Sequence, residues 1–595
     1  MIEKQATKKI KRCFLNPLSG FLLLAMSLAI SPNTIAQTYP QNYFRSPMDI
    51  PLYLSGSFGE LRANHFHTGL DIKTQGVEGQ RIYATAEGYI SRIRVSHYGY
   101  GLVLYMNHPN GYTTVYAHLS RFHSSIEKYI REKQYELRKE EVDLDSLPSE
   151  LFVFKKGDVI AWSGNSGSSG GPHLHFEVRE TATEKALNPM LFGFDVKDDI
   201  KPTIHDIKIY PLTDTSVIDG QSSERMIKAT GANGKYSLVK EVKARGTVGF
   251  AVHTIDMTTG SGNLCGVYEV ELYMKDSLLW KQQMQCIDFR TNRYINTHMD
   301  YLEHRDNKNS YHKSYIKGNN ALDIYPVKVN NGWVTVQPGQ RIKMKYLVKD
   351  IKGNVSELQF TIVSDSTKIP PAKSDPCPKS SMEEYGLFPV HWDHPNIIRF
   401  MDMEVLIPAT GIYDNHCILV ERHTRRKDAI AYTFRVGNSD IPVQEYMEIS
   451  LPCDTLMEHL RPYAVGIYIN AKGKISSEGG IYSNGHVTFR TRSFGRYSVM
   501  LDTIAPVITA VNISEGKNVS AQKELQFTVS DNLSGVKTYE AFIDGEWKLL
   551  RYKVKTGKLI LNMEEEKVTT GTHSLEVRVR DERGNEALFK CTFTR

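Results

Sequence analysis

The chain has 595 residues, which is too long for one hydrophobic core and predicts about four folded units. Its charged fraction of 24% and hydrophobic fraction of 41% are those of an ordinary globular protein, and its formal net charge is +6. No face rich in Lys and Arg and interleaved with aromatic residues stands out, so the composition argues against nucleic-acid binding.

The first 36 residues have the pattern of a secretory signal peptide. Five basic residues precede the apolar run "GFLLLAMSLAI", and cleavage is predicted after Ala36; the alternative is an uncleaved N-terminal anchor. Removing this segment takes away five positive charges and one negative charge, which lowers the net charge from +6 to +2. No later segment has roughly 18 uninterrupted apolar residues, so no membrane span is predicted after cleavage. We expect export to the periplasm or cell envelope.

Six cysteines remain after processing, in a compartment that permits disulfides. None forms a Cys-x-x-Cys pair, which argues against a thiol-ligated zinc knuckle. The count allows a Cys265–Cys286 bridge and one bridge among Cys377, Cys417 and Cys453. The alternative is that the cysteines are buried free thiols.

The fold class is predicted to be mainly β, beginning with an antiparallel domain over residues 37–197. Short β-rich runs such as "YTTVYAHL" alternate there with glycine-containing turns. One charged segment, about 122–152, interrupts the pattern and carries Ile126, Tyr129, Ile130 and Lys133 at helical spacing. We predict that this segment is a helical insertion. It either regulates access to the functional site of this domain or docks a partner. The alternative is a solvated surface excursion.

Three further β-rich units are predicted, over residues 198–365, 366–501 and 502–595. The first and third form a weak repeat, because "IKPTIHDIKI" resembles "IAPVITAVNI" and "YLVKDIKGNVSELQFTI" resembles "VRVRDERGNEALFKCTF". In each closing turn, Asp350 or Asp581 is expected to bond turn amides. These strands resemble those of bacterial immunoglobulin-like domains, which implies β-sandwich modules. No cluster of ligand residues is apparent in them.

The run "GGPHLHFEV" places His173 and His175 on one face of a strand. Taken alone, it is also compatible with an edge strand carrying two solvated histidines. Upstream, "GSFGELRANHFHTGLDI" sets His67 and Asp71 on one face of an extended segment with Gly69 between them. Imidazole nitrogens and carboxylate oxygens are ligands that zinc accepts, and a catalytic site uses three of them. A further histidine, His118, ends the apolar strand "TTVYAHLS".

Four ordered motifs resemble those of the lysostaphin/LytM-type zinc metallopeptidases. They are "HTGLD", "GYISRIRVSHYGYGLVLYMNH", "YAHLS" and "FKKGDVIAWSGNSGSSGGPHLHFEV". The resemblance implies that His67, Asp71 and His175 hold Zn²⁺. It also implies that His118 and His173 are the catalytic histidines, in roles that the sequence leaves open. His65 is the alternative to His67, and Glu177 is either a partner behind His175 or a solvated carboxylate.

The expected function is that of an exported zinc endopeptidase acting on peptidoglycan peptides. One alternative is a non-catalytic envelope adaptor that activates other wall hydrolases. Another is an envelope-binding protein that works through its β modules. An envelope protein could dock on those modules or on the helical insertion.

Overall fold

The computed structural model describes residues 39–367, 377 and 386–595. The predicted signal peptide therefore lies outside the described residues. Residues 41–595 form one unit by their internal contacts. Within the described ranges, no helix has the length and apolar character needed to cross a membrane.

The N-terminal part of the chain folds as a largely antiparallel sheet that carries one helix. In chain order, strands β1 to β13 span Leu54–Gly56, Leu61–Arg62, His65–Phe66, Leu70–Lys73, Arg81–Tyr83, Gly88–Val95, Leu102–Asn107, Tyr112–Phe122, Val142–Leu144, Val153–Phe154, Val159–Ser163, His173–Glu180 and Ala186–Leu187. The main order is β1-β4-β12-β8-β7-β6-β10, so β12 is an interior strand between β4 and β8. This architecture confirms the predicted mainly β fold.

The insertion after β8 is helical only in its first half. Helix α1 spans Ser124–Leu137, and it buries the predicted apolar residues Ile126 and Ile130. Arg138 adopts a left-handed conformation that ends the helix. Strand β9 follows and pairs with β6, because the alternation of Val142, Asp143 and Leu144 suits a strand with one buried face.

The next unit is a thirteen-stranded sheet with two short helices. Strands β14 to β27 span Thr203–Pro211, Val217–Ile218, Arg225–Ala232, Lys235–Leu238, Val242–Met257, Leu264–Cys265, Glu269–Met274, Ser277–Gln283, Cys286–Ile287, Tyr311–Lys313, Val327–Lys328, Val334–Val336, Arg341–Lys349 and Val355–Ser364; all but β22 belong to this sheet. Helices α2 and α3 span Ile295–His298 and Tyr301–Asn307. The long strand β18 pairs with both β14 and β27, so strand pairing links all thirteen strands into one sheet.

The last two units each have two sheets that share a core. Strands β28 to β38 span Leu387–Val390, Asn396–Phe400, Met403–Ile407, His416–His423, Thr433–Val436, Pro442–Pro452, Ala464–Ile469, Ile475–Gly479, Ile481–Ser483, His486–Ser493 and Gly495–Leu501. Strands β39 to β47 span Val507–Ala510, Lys517–Asn518, Glu524–Ser530, Val536–Ile543, Glu546–Lys548, Arg551–Lys553, Lys558–Asn562, Thr572–Asp581 and Glu586–Thr594. Buried apolar side chains from both sheets meet in each unit, as in a β-sandwich.

Among the described cysteines, one pair forms a disulfide. Cys377 is bonded to Cys417, with the two Cα atoms 5.6 Å apart, which agrees with a bridge among the middle three cysteines. Cys265 and Cys286 are free thiols, so the bridge considered between them is not formed.

Backbone pairing continues across the predicted boundary after residue 197. Strand β13 of the first sheet pairs with β22 of the following unit. The side chain of Asn292 accepts a hydrogen bond from Phe66 N at 2.6 Å and donates one to Phe66 O at 3.4 Å. The second unit therefore contacts the strand that leads into His67, and the domain boundaries stay predictions.

Gly69 lies where two segments of the site approach closely. A Cβ atom at this position would lie 2.5 Å from Phe176 O, 2.9 Å from Glu177 Cγ and 3.0 Å from His175 Cε1. Because Gly69 has no side chain, atoms of β12 pack directly against the segment between His67 and Asp71.

We expect Gly69→Ala to lower the free energy of unfolding by about 1–3 kcal/mol, because the added methyl group forces a backbone carbonyl and a site side chain apart. Chemical denaturation measures the change. The control is Gly170→Ala, where no heavy atom lies within 4 Å of the added Cβ atom, and we expect a change below about 0.5 kcal/mol. Equal stability of Gly69→Ala and the parent chain would contradict the close approach.

Candidate functional site

The register of three neighbouring strands brings the candidate site together. His175 on β12 lies directly opposite Asp71 on β4 and opposite Ala117 on β8. His67 lies shortly before the first residue of β4, and His118 is the residue after Ala117 on β8. Directly opposed residues of adjacent strands have neighbouring side chains, so this register assembles residues that are more than a hundred positions apart in the sequence.

Three side-chain atoms converge at the centre of the site. His67 Nε2 lies 3.0 Å from Asp71 Oδ1 and 3.0 Å from His175 Nδ1, and the last two atoms are 2.9 Å apart. All three side chains are buried. They form the cluster that the sequence predicted as metal ligands.

The partners behind these histidines fix which nitrogen faces the centre. His67 Nδ1 donates to Ser57 O at 2.7 Å, which leaves the lone pair on Nε2. His175 Nε2 faces Glu177 Oε1 at 2.8 Å, so a neutral His175 ring has its lone pair on Nδ1. Together with Asp71 Oδ1, these two nitrogens give three atoms whose lone pairs face one another. Such a set of ligand atoms fits a metal ion.

The charges at the cluster favour a bound cation. Burial lowers the pKa of His67 to about 4, so its ring is neutral near pH 7. Burial alone would lower the pKa of His175, but hydrogen bonds to Asp71 and Glu177 outweigh it and raise the pKa to about 9. The site therefore stabilises a positive charge, which either a proton or a metal ion supplies.

Arg62 occupies the second oxygen of the Asp71 carboxylate. Arg62 Nη2 donates to Asp71 Oδ2 at 2.6 Å. Burial would raise the pKa of Asp71, but attraction to His67 and hydrogen bonds from the histidines hold it well below its usual range. Oδ1 faces the centre of the site, so Asp71 can offer one oxygen to a metal ion.

Glu177 is a buried partner behind His175, not a solvated carboxylate. It accepts hydrogen bonds from Thr68 Oγ1 at 2.7 Å, Tyr100 Oη at 2.5 Å, His175 Nε2 at 2.8 Å and Arg179 Nε at 2.7 Å. Burial would raise the pKa of Glu177, but Arg179 and His175 lower it below its usual range. An ionised Glu177 therefore orients the His175 ring.

His118 is held at an irregularity in β8. Its φ is +59°, and the pairing of β8 with β7 shifts register beside it. Strain of this kind is concentrated at functional sites, where a bulge redirects a side chain. His118 Nδ1 donates to Ser166 O at 2.9 Å, so Nε2 remains free. Burial, followed by repulsion from His175 and His173, lowers the pKa of His118 to about 3.

His173 lies beside His118 at the start of β12. The two ring centroids are 4.8 Å apart, and His173 Nε2 is 3.4 Å from Asp71 Oδ1. His173 Nδ1 lies within hydrogen-bonding distance of Gly171 O, at 2.9 Å. The glycine-rich loop over residues 164–172 therefore holds both histidines.

The last β unit contacts this loop and helix α1. Lys555 Nζ donates to Asn165 O at 3.1 Å and also to Ser169 O. On α1, the Tyr135 ring packs 5.1 Å from the Trp547 ring. The insertion therefore docks on the chain's own last unit, while its effect on access to the site stays a prediction.

His65 stands apart from the cluster. Its side chain is exposed in β3, and its Nδ1 faces Ala63 O at 2.9 Å. Sequence reasoning missed the supporting residues Arg62, Tyr100 and Arg179. The one available signal was the alternation along β12, which places Arg179 on the same face as His175 and Glu177.

The fold and the cluster define a β-sheet domain with a buried set of side chains that could hold a metal ion. Residues 65–135 match the sequence profile of peptidase family M23, and residues 389–502 match that of the Zu5-like domain. The chain therefore carries an M23 (LytM-type) peptidase domain, which confirms the resemblance predicted from the four motifs. The matched range contains His67, Asp71 and His118, and strand pairing adds His173 and His175 to them.

Several curated relatives match part of the chain. An uncharacterized metalloprotease of Haemophilus influenzae is 27% identical over 164 residues, which is 27% of this chain and 29% of that protein. The DD-carboxypeptidase/endopeptidase Mpg of Neisseria meningitidis serogroup B is 34% identical over 113 residues, which is 19% of this chain and 20% of that protein. The chain thus spans less than a third of the length of each of these two relatives.

Solved structures also match part of the chain. The catalytic domain of the antimicrobial peptidase lysostaphin from Staphylococcus simulans is 25% identical; the match covers 22% of this chain and 86% of that chain, with a TM-score of 0.17.

We expect Glu177→Gln to weaken both the fold and metal binding. The substitution keeps the shape but removes the charge that balances buried Arg179, so the free energy of unfolding should fall by about 3 kcal/mol. Looser orientation of His175 should lower metal affinity by about 10- to 100-fold. Denaturation and competition with a chelator measure the two effects.

The matched control is Glu184→Gln, which removes the second carboxylate near Arg179. Its side chain is 68% exposed and lies 3.3 Å from the guanidinium, so we expect a loss below about 1 kcal/mol and unchanged metal affinity. Equal losses in both variants would contradict the role given to Glu177.

Proposed function

We propose that the chain is a zinc-dependent endopeptidase that cleaves amide bonds in the peptide part of peptidoglycan. The observation that carries the proposal is the convergence of His67 Nε2, Asp71 Oδ1 and His175 Nδ1 within 3.0 Å of one another, beside two further histidines. The M23 match and the metalloprotease name of the Haemophilus influenzae relative support a metal-dependent peptidase.

The donor set favours zinc among the common metal ions. Two imidazole nitrogens and one carboxylate oxygen are a set that catalytic zinc sites use, with a fourth position left open. Calcium and magnesium prefer all-oxygen sites. Once bound, a zinc ion would polarise the substrate carbonyl and lower the pKa of a water molecule.

In this proposal the two catalytic histidines divide the proton chemistry. His118 is uncharged at neutral pH and has a free Nε2, so it can accept the proton of the attacking water. His173 lies on the same face, 4.8 Å away between ring centroids, where it can donate to the developing oxyanion or to the leaving amine. The bulge at His118 and the loop over 164–172 keep both rings in place.

The substrate class rests on the relatives. The Neisseria meningitidis relative is named a DD-carboxypeptidase/endopeptidase. Peptidoglycan lies outside the cytoplasmic membrane, so this substrate agrees with the signal peptide predicted over residues 1–36. We place the protein in the periplasm or cell envelope, with the β modules as the parts that position the peptidase.

We expect the five histidine and aspartate variants to fall into two classes. Ala at His67, Asp71 or His175 should lower zinc occupancy and abolish hydrolysis, because each change removes one of three ligands. Ala at His118 or His173 should retain zinc and lower turnover by about 10²- to 10⁴-fold, because only proton transfer is lost. Elemental analysis gives the zinc content. Mass spectrometry of digested peptidoglycan detects new amine termini.

His65→Ala is the control, since this exposed histidine lies outside the cluster, and it should retain both zinc and turnover. Loss of zinc in His173→Ala with retention in His175→Ala would reverse the assignment within the pair. A folded, zinc-loaded chain that produced no new amine termini would refute the proposed reaction.

A further inference from the structure

Two groups of three aspartates lie in the first and third β units. They are Asp198, Asp256 and Asp350 in one unit, and Asp502, Asp531 and Asp581 in the other, and in each group one ligand atom per residue lies within 4.8 Å of the others. The expectation that these units contain no cluster of ligand residues is therefore wrong. We name the groups the first and the second aspartate cluster.

The two clusters occupy corresponding places in the sequence repeat. Asp198 and Asp502 precede the strand that opens each repeat, and Asp350 and Asp581 begin the Asp-x-x-Gly-Asn turn that closes it. The remaining members are Asp256, near the end of β18, and Asp531, directly after β41. The same arrangement of three aspartates therefore occurs in two units that are far apart in the sequence.

The closing turns have the same hydrogen bonds in both clusters. Asp350 Oδ1 accepts from Lys352 N at 2.8 Å and from Asn354 N at 2.9 Å. Asn354 Nδ2 then donates to Asp198 O at 3.1 Å. In the second cluster, Asp581 Oδ1 accepts from Arg583 N at 2.8 Å and from Asn585 N at 2.9 Å, and Asn585 Nδ2 donates to Asp502 O at 2.9 Å. The turns therefore order the aspartates.

Both clusters contain buried carboxylate oxygens that the turns do not satisfy. Asp256 Oδ1, Asp502 Oδ1 and Asp531 Oδ1 have no hydrogen-bond partner. Asp502 is 0% exposed and Asp256 only 5%. Among the described residues, none of the six carboxylates forms an ion pair with Lys, Arg or His. An unpaired buried charge is costly, so these oxygens need either a proton or a bound cation to neutralise them.

The electrostatics of the first cluster agree with this requirement. Burial raises the pKa of Asp256 to about 8, and repulsion from Asp198 and Asp350 adds to the effect. Burial likewise raises the pKa of Asp198 to about 6. With a pKa of about 8, Asp256 keeps its proton near pH 7 when no cation is bound, and a divalent cation would displace that proton. Lys352 offsets only part of the effect that raises the pKa of Asp198.

We propose that each aspartate cluster binds one Ca²⁺ ion. All the side-chain ligands are oxygens, which suits hard divalent cations and not zinc. Ca²⁺ accepts six to eight oxygens in irregular geometry, including backbone carbonyls, whereas Mg²⁺ retains several waters in an octahedron. The nearly complete burial of Asp256, Asp350, Asp502 and Asp581 therefore favours Ca²⁺.

The positions of the clusters give the ions a structural role. Asp198 lies on the connection that leaves the peptidase domain, and its two partners belong to the unit that follows. Asp502 directly follows β38 of the preceding unit, and its partners belong to the last unit. Each Ca²⁺ would therefore fasten an incoming connection to the unit that it enters, which stiffens the chain between its folded parts.

The test uses the full chain, dialysed against calcium-free buffer and titrated with CaCl₂ by calorimetry. Calcium sites of extracellular modules bind at about 10⁻⁴–10⁻³ M, so the titration extends into the millimolar range. We expect two Ca²⁺ per parent chain, one each for Asp256→Asn and Asp531→Asn, and none for the double variant. Ca²⁺ should raise the unfolding temperature of the parent chain and leave that of the double variant unchanged.

The variants also have an expected effect without calcium. Above pH 8, where Asp256 is ionised, Asp256→Asn removes repulsion and sacrifices no hydrogen bond at Oδ1, so it should unfold at a higher temperature than the calcium-free parent chain. Asp198→Asn, which lies outside a strand, provides a second variant of the first cluster should Asp256→Asn fail to fold. Asp440→Asn, at an exposed ion pair with Arg305, is the control and should retain two sites.

Three results would overturn the proposal. They are no Ca²⁺ binding by the parent chain, two sites remaining in the double variant, and equal binding of Mg²⁺ at the same concentrations. None of these measurements depends on zinc loading or on peptide hydrolysis, so they are independent of the proposed enzymatic function.

Discussion

The antiparallel register between β4 and β12 is the constraint on which the candidate site depends. It sets His175 opposite Asp71, and a slip of one residue would turn His173 and His175 to the other face of the sheet. The register is specified by the apolar half of the strand, because Leu174 and Phe176 are 0% exposed and pack in the core. Ordinary core packing thereby positions the polar residues, and the proposed metal ligands need not specify the fold themselves.

Buried carboxylates in this protein follow one electrostatic rule in different surroundings. Glu177 is fully buried, and Arg179 together with three hydroxyl or imidazole donors compensates its charge. Asp71 shares its charge between Arg62 on one oxygen and the centre of the site on the other. The aspartate clusters accept hydrogen bonds from amides, and none of their carboxylates forms an ion pair with another described side chain. The same rule that explains the peptidase site therefore points to ions in the β units.

The sequence predicted the mainly β fold and the convergence of His67, Asp71 and His175, because ordered motifs fix residue types at sites where chemistry limits the choice. It did not predict partners that strand pairing selects. Cys265 pairs in register with Asp256 on β18, and Cys286 with Leu187 on β13, so the two cysteines lie on strands with different neighbours. Spacing along the chain carries no information about such pairings, and the aspartate clusters were missed for the same reason.

The units after residue 198 contact the peptidase sheet on both sides of the site. Asn292 bonds both backbone groups of Phe66, next to the proposed ligand His67. Lys555 bonds carbonyls of the loop over 164–172, which holds His118 and His173. The proposed ligand His67 and the two histidines proposed for proton transfer therefore lie beside contacts from different units, so we expect displacement of either unit to disturb a different part of the site. Connections stiffened at the two aspartate clusters would keep both contacts in place at once, which couples the order of the β units to the geometry of the site.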